Sequence, residues 1–475
     1  MKYNPMLLTD FYKISHRIMS EEGTGMIYST FTPRMSRIKE IDKVVFFGLK
    51  GFIKEYLIDY FNENFFKRGK DQVIIEYKRM ITYTLGADAA DASHIEALWE
   101  LGYLPLEIKA LPELTEVPLK VPMFTIQNTN PKFYWLTNFL ETLMSAELWK
   151  VTTAATISKY YKDICDVAAD RTCDDRSHVM WQCHNFSYRG MSGNDDAIKT
   201  GAAHLQFFKG TDTIPSIMYL EQYYGVNVEK ELVGASVPAT EHSIQCGYGD
   251  DEKYIRRMIL DVIPNGIVSV VVDGYDYWNV ITDIMPRLKK EIMNRDGKVV
   301  LRPDSGEPAD IICGDVNART LYEQKGTIEL LWEIFGGTIN SKGYKVLDSH
   351  IGLIYGDAIT PERAKDIFKR LESKGFASSN VVFGVGSYSL GYHTRDTFGF
   401  ALKATHTIQN GKEIMIFKDP KTDSGMKKSA RGMCAVVNSP VTETLGLIDG
   451  LTSVTESRIE NNMLQTVFID GKYIG

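Results

Sequence analysis

Apolar residues recur along the first third of the chain with two different periods. Between residues 46 and 61 they lie three and four positions apart, which predicts a helix with one buried face. At 106–110 and 123–126 apolar and polar residues alternate, which predicts strands. Two further helices are predicted at 134–148 and 153–169. This part of the chain is therefore expected to combine helices with a small antiparallel sheet.

From about residue 180 onward, short apolar runs alternate with amphipathic helices. The clearest unit has a strand at 351–355, a helix that Thr360 and Pro361 begin, and a strand at 381–385. Units of this length join neighbouring parallel strands through right-handed crossovers. Six to seven such units are expected, one of them with a strand at 204–208. This number suits an α/β fold with an irregular or incomplete TIM-like barrel.

The last 80 or so residues no longer alternate between short apolar runs and amphipathic helices. The pairs Asn410-Gly411 and Asp470-Gly471 each separate two strand-like runs, which predicts two hairpins. We expect this segment to rejoin the first sheet in a second, α+β domain. The predicted organisation is an N-terminal α+β region at 1–150, a barrel carrying the active site at 151–390, and a returning C-terminal segment at 391–475.

Composition narrows the range of functions. A net charge of −7 and a pI of about 5.8 argue against nucleic acid or an anionic membrane as the main partner. No apolar run approaches the roughly 18 residues needed to span a bilayer, and the first residues lack a signal-peptide pattern. The six cysteines lie far apart without C-x-x-C spacing, which is typical of reduced thiols. A cytoplasmic protein is expected.

Polar residues follow the predicted buried strands at their carboxyl ends. The apolar run 299–301 ends in Arg302-Pro303-Asp304, which taken alone fits an ion pair in a surface turn equally well. The same change from apolar to polar or glycine residues recurs after three other strands. Because the carboxyl ends of parallel strands share one edge, where active sites form, we expect one site there. The other three strand ends carry Asp273, Gly356-Asp357 and Gly386-Ser387.

The charges at these strand ends indicate a class of substrate. Carboxylates such as Asp273, Asp304 and Asp357 are ligands that Mg²⁺ prefers. Guanidinium groups such as Arg189 and Arg302 bind phosphate oxygens in a forked geometry. The pattern therefore predicts a magnesium-bound substrate that carries phosphate.

Eight motifs occur in order along nearly the whole chain. They are Thr-Asp-Phe-Tyr-Lys (9–13), His-Asn-Phe-Ser-Tyr-Arg-Gly (184–190), Phe-Lys-Gly-Thr-Asp (208–212), Ser-Val-Pro-Ala-Thr-Glu-His-Ser (236–243), Arg-Pro-Asp-Ser-Gly (302–306), Gly-Asp (356–357), Thr-Arg-Asp (394–396) and Phe-Lys-Asp-Pro (417–420). Together they resemble the nicotinamide phosphoribosyltransferase family of type II phosphoribosyltransferases. The resemblance implies a homodimer with shared active sites that makes nicotinamide mononucleotide and pyrophosphate from nicotinamide and phosphoribosyl pyrophosphate.

For the base, the resemblance implies that Phe186 stacks on the pyridine ring and that Tyr12 of the partner subunit covers its other face. Asp212 would accept a hydrogen bond from the carboxamide NH₂, while Arg302 and Ser269 would bind the amide oxygen. Asp10, beside Tyr12, is also assigned to substrate binding.

For the remaining groups, the resemblance implies magnesium at Asp273 and Asp304, and an ATP-dependent phosphorylation of His242, oriented by Asp273. His242, Asp273, Asp304 and Arg302 form the expected catalytic set. Asp304, Gly356 and Asp357 would bind the ribose, Gly386 and Ser387 the 5′-phosphate, and Arg189 would line the cationic part of the site. The partner subunit would supply Arg34, Arg395, Lys403 and Lys418.

Two other functions stay open, and four residues depart from the family pattern. Nicotinate phosphoribosyltransferases share most of the phosphate-binding residues, but the Asp212 carboxylate favours an NH₂ donor over a second carboxylate. A catalytically silent dimer that binds nicotinamide or its mononucleotide is the third interpretation. The departures are Asn185, Ser187, Ser387 and Ala401, where the family commonly has Asp, Gly, Gly and a hydroxylated residue.

Overall fold

The computed structural model describes residues 3–356, 359–417, 430–439 and 444–475. The chain divides into two compact units. The first unit comprises Met1–Thr156 together with His393–Gly475, and the second comprises Ile157–Tyr392.

The first unit is built on a seven-stranded sheet whose paired neighbours are all antiparallel. Its neighbouring strands Thr24–Thr32 and Phe124–Asn128 bury most of their side chains, which places the core on this sheet. The C-terminal segment contributes four of the seven strands. In order across the sheet, the strands are Lys412–Met415, Ala401–Gln409, Thr24–Thr32, Phe124–Asn128, Leu106–Ala110, Gln465–Ile469 and Lys472–Tyr473.

Both predicted hairpins are confirmed. Asn410 and Gly411 have φ values of 50° and 76°, and Asp470 and Gly471 have 46° and 79°. Positive φ at both central residues is the type I′ geometry that matches the twist of the flanking strands, and Asn, Asp and Gly tolerate it best.

Helices and two short strand pairs complete the first unit. The predicted helix at 46–61 is present, although it begins at Leu49 and widens into π-helical turns over Ile53–Tyr60 and Asn62–Phe66. The other helices are Phe11–Met19, Lys70–Thr84, Ser93–Leu101, Leu136–Phe139 and Ser453–Glu456, and the strand pairs are Lys43–Val45 with Glu116–Pro118 and Met433–Asn438 with Leu445–Leu451.

The prediction of separate helices at 134–148 and 153–169 is wrong, because a single helix runs from Glu141 to Thr172. The helix continues through the β-branched residues Val151, Thr152 and Thr153, which favour helices weakly. All three are buried, and the Thr152 hydroxyl donates a hydrogen bond to the carbonyl of Phe47 at 3.0 Å. Tertiary packing therefore outweighs local propensity here.

The second unit contains a six-stranded sheet in which every neighbouring pair is parallel. The predicted parallel sheet is thus confirmed, separate from the antiparallel one. Single parallel bridges join Gly210 to Ala235 and Ala239 to Ser269, so the segment 235–239 lies beside both edge strands. In order across the sheet, the strands are Gly210–Thr211, Cys183–Asn185, Val381–Val385, Ile351–Tyr355, Val299–Arg302 and Val268–Val271.

Helices connect these strands. The unit predicted around Thr360 is present as a helix Pro361–Ser373, in which the Thr360 side chain caps the Arg363 N–H. The strand predicted at 204–208 is wrong, because the helix Asn194–His204 occupies its start and the strand is Gly210–Thr211. The other helices are Ile214–Tyr219, His242–Tyr248, Asp251–Arg257, Tyr277–Asn279 continuing to Met293, Pro308–Cys313, Leu321–Lys325, Thr327–Phe335 and Ser387–Gly391, and Gly337–Ile339 pairs with Lys345–Leu347.

The six cysteines are free thiols, as the sequence predicts. Within the described ranges, we find no helix that combines the length and apolar composition required to cross a membrane.

Candidate active site

The candidate site of the second unit lies at the carboxyl edge of the parallel sheet. Asp273 follows the strand Val268–Val271, Arg302 ends the strand Val299–Arg302, and Asp304 comes two residues later. Because the strands are parallel, their ends meet at this edge. The polar residues that follow these strands in the sequence therefore lie together at one edge of the sheet.

A cavity of about 420 Å³ opens beside these strand ends. Phe186, Asp212, Ser236, Ser269 and Arg302 line it. Lys298, which precedes the strand that Arg302 ends, lines it as well, so the cavity follows this strand along its length. Its volume falls in the range of small-molecule sites.

Phe186 provides an aromatic wall of the cavity. The guanidinium carbon of Arg302 lies 5.8 Å from the centroid of its ring, within cation–π distance. The His184 ring lies 4.4 Å away and is inclined by 34°. His184 lies in the strand Cys183–Asn185 and Phe186 directly follows it, and the contact between their rings shows that both side chains lie on the same side. A flat ligand ring can therefore rest on a rigid aromatic side chain.

Asp212 presents a carboxylate to the same cavity. Its Oδ1 accepts hydrogen bonds from His184 Nε2 at 2.8 Å and from Ser236 Oγ at 2.7 Å. Burial alone raises the pKa of Asp212, but these two hydrogen bonds and the charge of Arg302 outweigh it, so the pKa lies below its ordinary value. Asp212 is thus an ionised acceptor at neutral pH.

Asp273 joins two neighbouring loops. Its Oδ2 accepts a hydrogen bond from the backbone N–H of Asp304 at 2.9 Å, and its Oδ1 lies 3.0 Å from Nε2 of His242. Burial alone raises the pKa of Asp273, but hydrogen bonds from Ser305, Asp304 and His242 lower it below the ordinary value. Asp273 therefore orients both His242 and the Asp304 loop.

Glycine at position 356 is required by close packing against the charged groups. A Cβ atom there would lie 1.8 Å from Asp304 Oδ1 and 3.3 Å from Arg302 Cδ. Arg302 Nε lies 3.6 Å from the same carboxylate oxygen. The bare backbone of Gly356 thus lets the Arg302–Asp304 pair sit against the next strand end.

Gly386 and Ser387 follow the strand Val381–Val385 and begin the helix Ser387–Gly391. Ser387 packs tightly on the turn that carries Arg189, since a Cβ on Gly190 would lie 2.0 Å from its Oγ. Arg189 itself is exposed. The structure therefore places the turn that carries Arg189 beside Ser387, at the same end of the sheet.

The other described residues of the predicted site lie in the first unit, where Asp10, Tyr12, Arg395 and Lys403 form one cluster. Tyr12 is 58% exposed. Burial and the nearby carboxylates of Glu141 and Asp10 raise its pKa, and Lys403 and Arg395 oppose this effect. Lys403 Nζ lies 2.6 Å from Glu141 Oε1.

Arg34 follows the strand Thr24–Thr32 of the first unit, and its Nε donates to the carbonyl of Gly399 at 2.8 Å. Asp357 and Lys418 lie outside the described residues. The predicted site residues thus fall into two sets, one on each unit.

Two of the four departures from the family pattern, Asn185 and Ser187, each leave one buried polar atom, Nδ2 and Oγ, without a hydrogen bond among the described residues. Asn185 and Ser187 are buried, and Asn185 Oδ1 accepts a hydrogen bond from the Ser187 N–H at 2.8 Å, which stabilises the turn after the strand. Ala401 is buried and pairs with Thr32 in the antiparallel sheet. Ser387 fills the space that Gly190 leaves.

His184 and Ser236 were not predicted as site residues. Both stand in motifs that the sequence analysis singled out, but nothing in the sequence shows that they bond the same oxygen of Asp212. The one available signal was the two-residue spacing of His184 and Phe186, which places both on one face of a strand.

The sequence matches a family model described as the nicotinate phosphoribosyltransferase (NAPRTase) family over residues 181–472. A nicotinamide phosphoribosyltransferase of Acinetobacter baylyi is 49% identical, covering 99% of this chain and 94% of that protein. Another, from Xanthomonas campestris pv. campestris, is 33% identical, covering 99% of this chain and 95% of that protein.

Two solved structures are similar in fold. A nicotinate-nucleotide pyrophosphorylase from Pyrococcus furiosus matches with a TM-score of 0.57 at 14% identity, covering 99% of this chain and 91% of that chain. Human nicotinic acid phosphoribosyltransferase matches with a TM-score of 0.56 at 13% identity, covering 99% and 90%. At these identities the similarity concerns the fold alone.

Proposed function

The chain belongs to the nicotinate phosphoribosyltransferase family, and on that basis we propose that it transfers the 5-phosphoribosyl group of phosphoribosyl pyrophosphate to nicotinamide. The products are nicotinamide mononucleotide and pyrophosphate, so the reaction salvages nicotinamide for NAD synthesis. The similarity to nicotinamide phosphoribosyltransferases, which extends over 99% of the chain, supports this choice.

The observation that carries the choice of base is the ionised Asp212 carboxylate on the cavity wall. A carboxylate accepts hydrogen bonds and donates none. It therefore attracts the NH₂ of a carboxamide and repels a second carboxylate by like charge.

Nicotinate is the second candidate, because Arg302 lines the same cavity and a guanidinium can bind a carboxylate. The charge of Arg302 is partly offset, however, by Asp304 at 3.6 Å and by its interaction with Asp212. We propose that Arg302 and Ser269 bind the amide oxygen instead, while Phe186 holds the pyridine ring by stacking.

The chemical step follows from charge and position. Departure of pyrophosphate leaves positive charge on the ribose, and the pyridine nitrogen attacks the anomeric carbon. That nitrogen carries no proton in neutral nicotinamide, so correct placement takes the role of a general base. Asp304, Gly356 and Asp357 are proposed to bind the ribose, and Gly386, Ser387 and Arg189 the 5′-phosphate.

We further propose magnesium as the metal. No cluster of three or more candidate ligands occurs in the part of the chain that the structure describes. Mg²⁺ commonly uses one or two carboxylates and takes its other ligands from phosphates and water, so it does not require such a cluster. Asp304 and Asp273 would hold it, and it would offset charge on the departing pyrophosphate.

His242 is proposed to accept a phosphoryl group from ATP and so to improve turnover. Its contact with Asp273, whose backbone partner is Asp304, supports a coupling between this histidine and the ribose loop.

The cluster on the first unit is proposed to act in a homodimer. Tyr12 of the partner subunit would cover the free face of the pyridine ring. Arg34, Arg395, Lys403 and Lys418 of the partner subunit would neutralise phosphate and pyrophosphate. The exposed Tyr12 side chain and its neighbouring cations support this assignment. The free thiols support a reducing, cytoplasmic location.

One assay tests the reaction. Purified protein with Mg²⁺, nicotinamide and phosphoribosyl pyrophosphate is expected to form nicotinamide mononucleotide, with a higher kcat/KM for nicotinamide than for nicotinate. A preference for nicotinate would overturn the choice of base. If neither mononucleotide formed, a silent nicotinamide-binding dimer would replace the enzyme.

A further inference from the structure

We propose that His184, assisted by Ser236, is a positioning residue that holds the Asp212 carboxylate in one orientation, so that only Oδ2 is offered to the carboxamide of the base. This inference rests on the proposed function and names a specificity determinant of the same site. It concerns a side chain that acts through Asp212.

The two donors converge on one oxygen. His184 Nε2 lies 2.8 Å and Ser236 Oγ 2.7 Å from Oδ1 of Asp212. In the described parts of the chain, no group donates a hydrogen bond to Oδ2. Since Asp212 lines the cavity, Oδ2 is the oxygen left to bind a ligand.

The two donors come from different elements of the second unit. His184 belongs to the strand Cys183–Asn185, and Ser236 belongs to the segment that lies beside both edge strands. The backbone of Asp212 is tied to the first of these, because its N–H donates to the carbonyl of Asn185 at 3.1 Å. The backbone of Asp212 is therefore fixed by one bond and its carboxylate by two, and rotation of the carboxylate would break two charge-assisted hydrogen bonds.

The imidazole is itself held in place. His184 pairs with Gly210 across the parallel strands, and a Cβ on Gly210 would lie 2.8 Å from His184 Nδ1. The ring thus lies close against the neighbouring strand on one side. On the other it packs on Phe186, with ring centroids 4.4 Å apart.

This arrangement constrains the proton on His184. An ionised carboxylate only accepts hydrogen bonds, so Nε2 must carry the hydrogen that it shares with Asp212. His184 therefore links the two groups that the base meets, the stacking ring of Phe186 and the accepting oxygen of Asp212. A glutamine can place an amide NH₂ near the position of Nε2, whereas phenylalanine keeps the ring and loses the donor.

The experiment compares His184→Phe and His184→Gln with the wild-type enzyme. We expect His184→Phe to raise the KM for nicotinamide about tenfold, as loss of a hydrogen bond to a charged group implies, with kcat and the KM for phosphoribosyl pyrophosphate within about threefold. His184→Gln is expected to stay within about threefold of wild type in all three constants. Equal KM values for wild type and His184→Phe would overturn the proposal.

A double-mutant cycle separates positioning from a merely structural role. If His184 acts through Asp212, His184→Phe changes the nicotinamide KM less than about twofold when Asp212 is already alanine. The same tenfold change in both backgrounds would overturn the inference. Should His184→Phe fail to fold, Ser236→Ala removes the second donor and is expected to raise the KM about threefold, and no change would count against the proposal.

Calorimetric titration of nicotinamide into the same variants measures binding separately from turnover. It therefore tests the positioning role of His184 even if the proposed reaction does not occur. Binding without any mononucleotide formed would refute the proposed reaction, and the His184 comparison would then be made on Kd. Normal turnover with an unchanged Kd in His184→Phe would refute only the positioning role.

Discussion

Replacing Asp212 with asparagine tests whether its charge selects the base. The two donors on Oδ1, His184 Nε2 and Ser236 Oγ, require an acceptor there, so the asparagine carbonyl takes that position. Its NH₂ then replaces Oδ2 and faces the ligand. The variant thereby replaces a charged acceptor, which repels the nicotinate carboxylate, with a neutral NH₂ that can donate a hydrogen bond to it.

The magnitude follows from the charges. Two like charges about 4 Å apart repel by about 4 kcal/mol at an effective dielectric constant of about 20. Because 45% of the Asp212 side chain is exposed, solvent screening weakens this repulsion, and we take about 2 kcal/mol. That corresponds to a roughly 30-fold rise in kcat/KM for nicotinate.

The assay measures both mononucleotides by chromatography over a range of each base. We expect kcat/KM for nicotinate to rise roughly 30-fold and that for nicotinamide to fall about tenfold, since one hydrogen bond to a charged acceptor is lost. Asp261→Asn, at an exposed helix position of the same unit, is the matched control and should change neither. A nicotinate kcat/KM within twofold of wild type would refute the charge argument.

Four other predictions follow from the site. Gly356→Ala should lower kcat/KM for phosphoribosyl pyrophosphate on the order of 100-fold, because its Cβ would displace Asp304, and calorimetry should show nicotinamide binding little changed. His242→Ala should abolish stimulation by ATP in a coupled assay while leaving ATP-independent synthesis, and retained stimulation would exclude the phosphohistidine. Mixing Asp304→Ala and Lys403→Ala subunits should restore activity to about a quarter of wild type if a homodimer shares its sites, whereas independent sites would restore none. The pKa of Asp273 is lowered in the folded state. Its hydrogen bonds therefore stabilise the fold fully above the unfolded pKa of about 3.9, and this stabilisation is lost as the pH falls through the folded pKa. The stability of Asp273→Asn, measured by acid unfolding with circular dichroism, should therefore depend less on pH below about 4 than that of the wild type.

Much of the fold could be predicted because the relevant signals are local. The Asn410-Gly411 hairpin depends on two adjacent residues that tolerate positive φ. The helix after Thr360 begins where a capping side chain and Pro361 coincide. The strand-end residues were found because buried runs change abruptly to polar residues, and the rule that parallel strands end at one edge brings them together.

The predictions that are wrong depended on contacts that no local pattern records. The helix Glu141–Thr172 continues through β-branched residues because buried packing and a hydrogen bond to Phe47 hold them. In the run 204–208, Leu205 and Phe208 are buried because they follow a helix end and enter the core, and a run this short cannot be told from a strand by its apolar pattern.

By itself the sequence determined the kinds of groups at the site, namely the carboxylates, guanidiniums and aromatic ring that indicate a phosphate-bearing substrate and a flat base. Only the tertiary structure decided how those groups are presented. His184 and Ser236 bond the same oxygen of Asp212, although they come from separate strands and loops. Hydrogen-bond direction depends on positions in space to within a few tenths of an ångström, and residue order along the chain carries no such information.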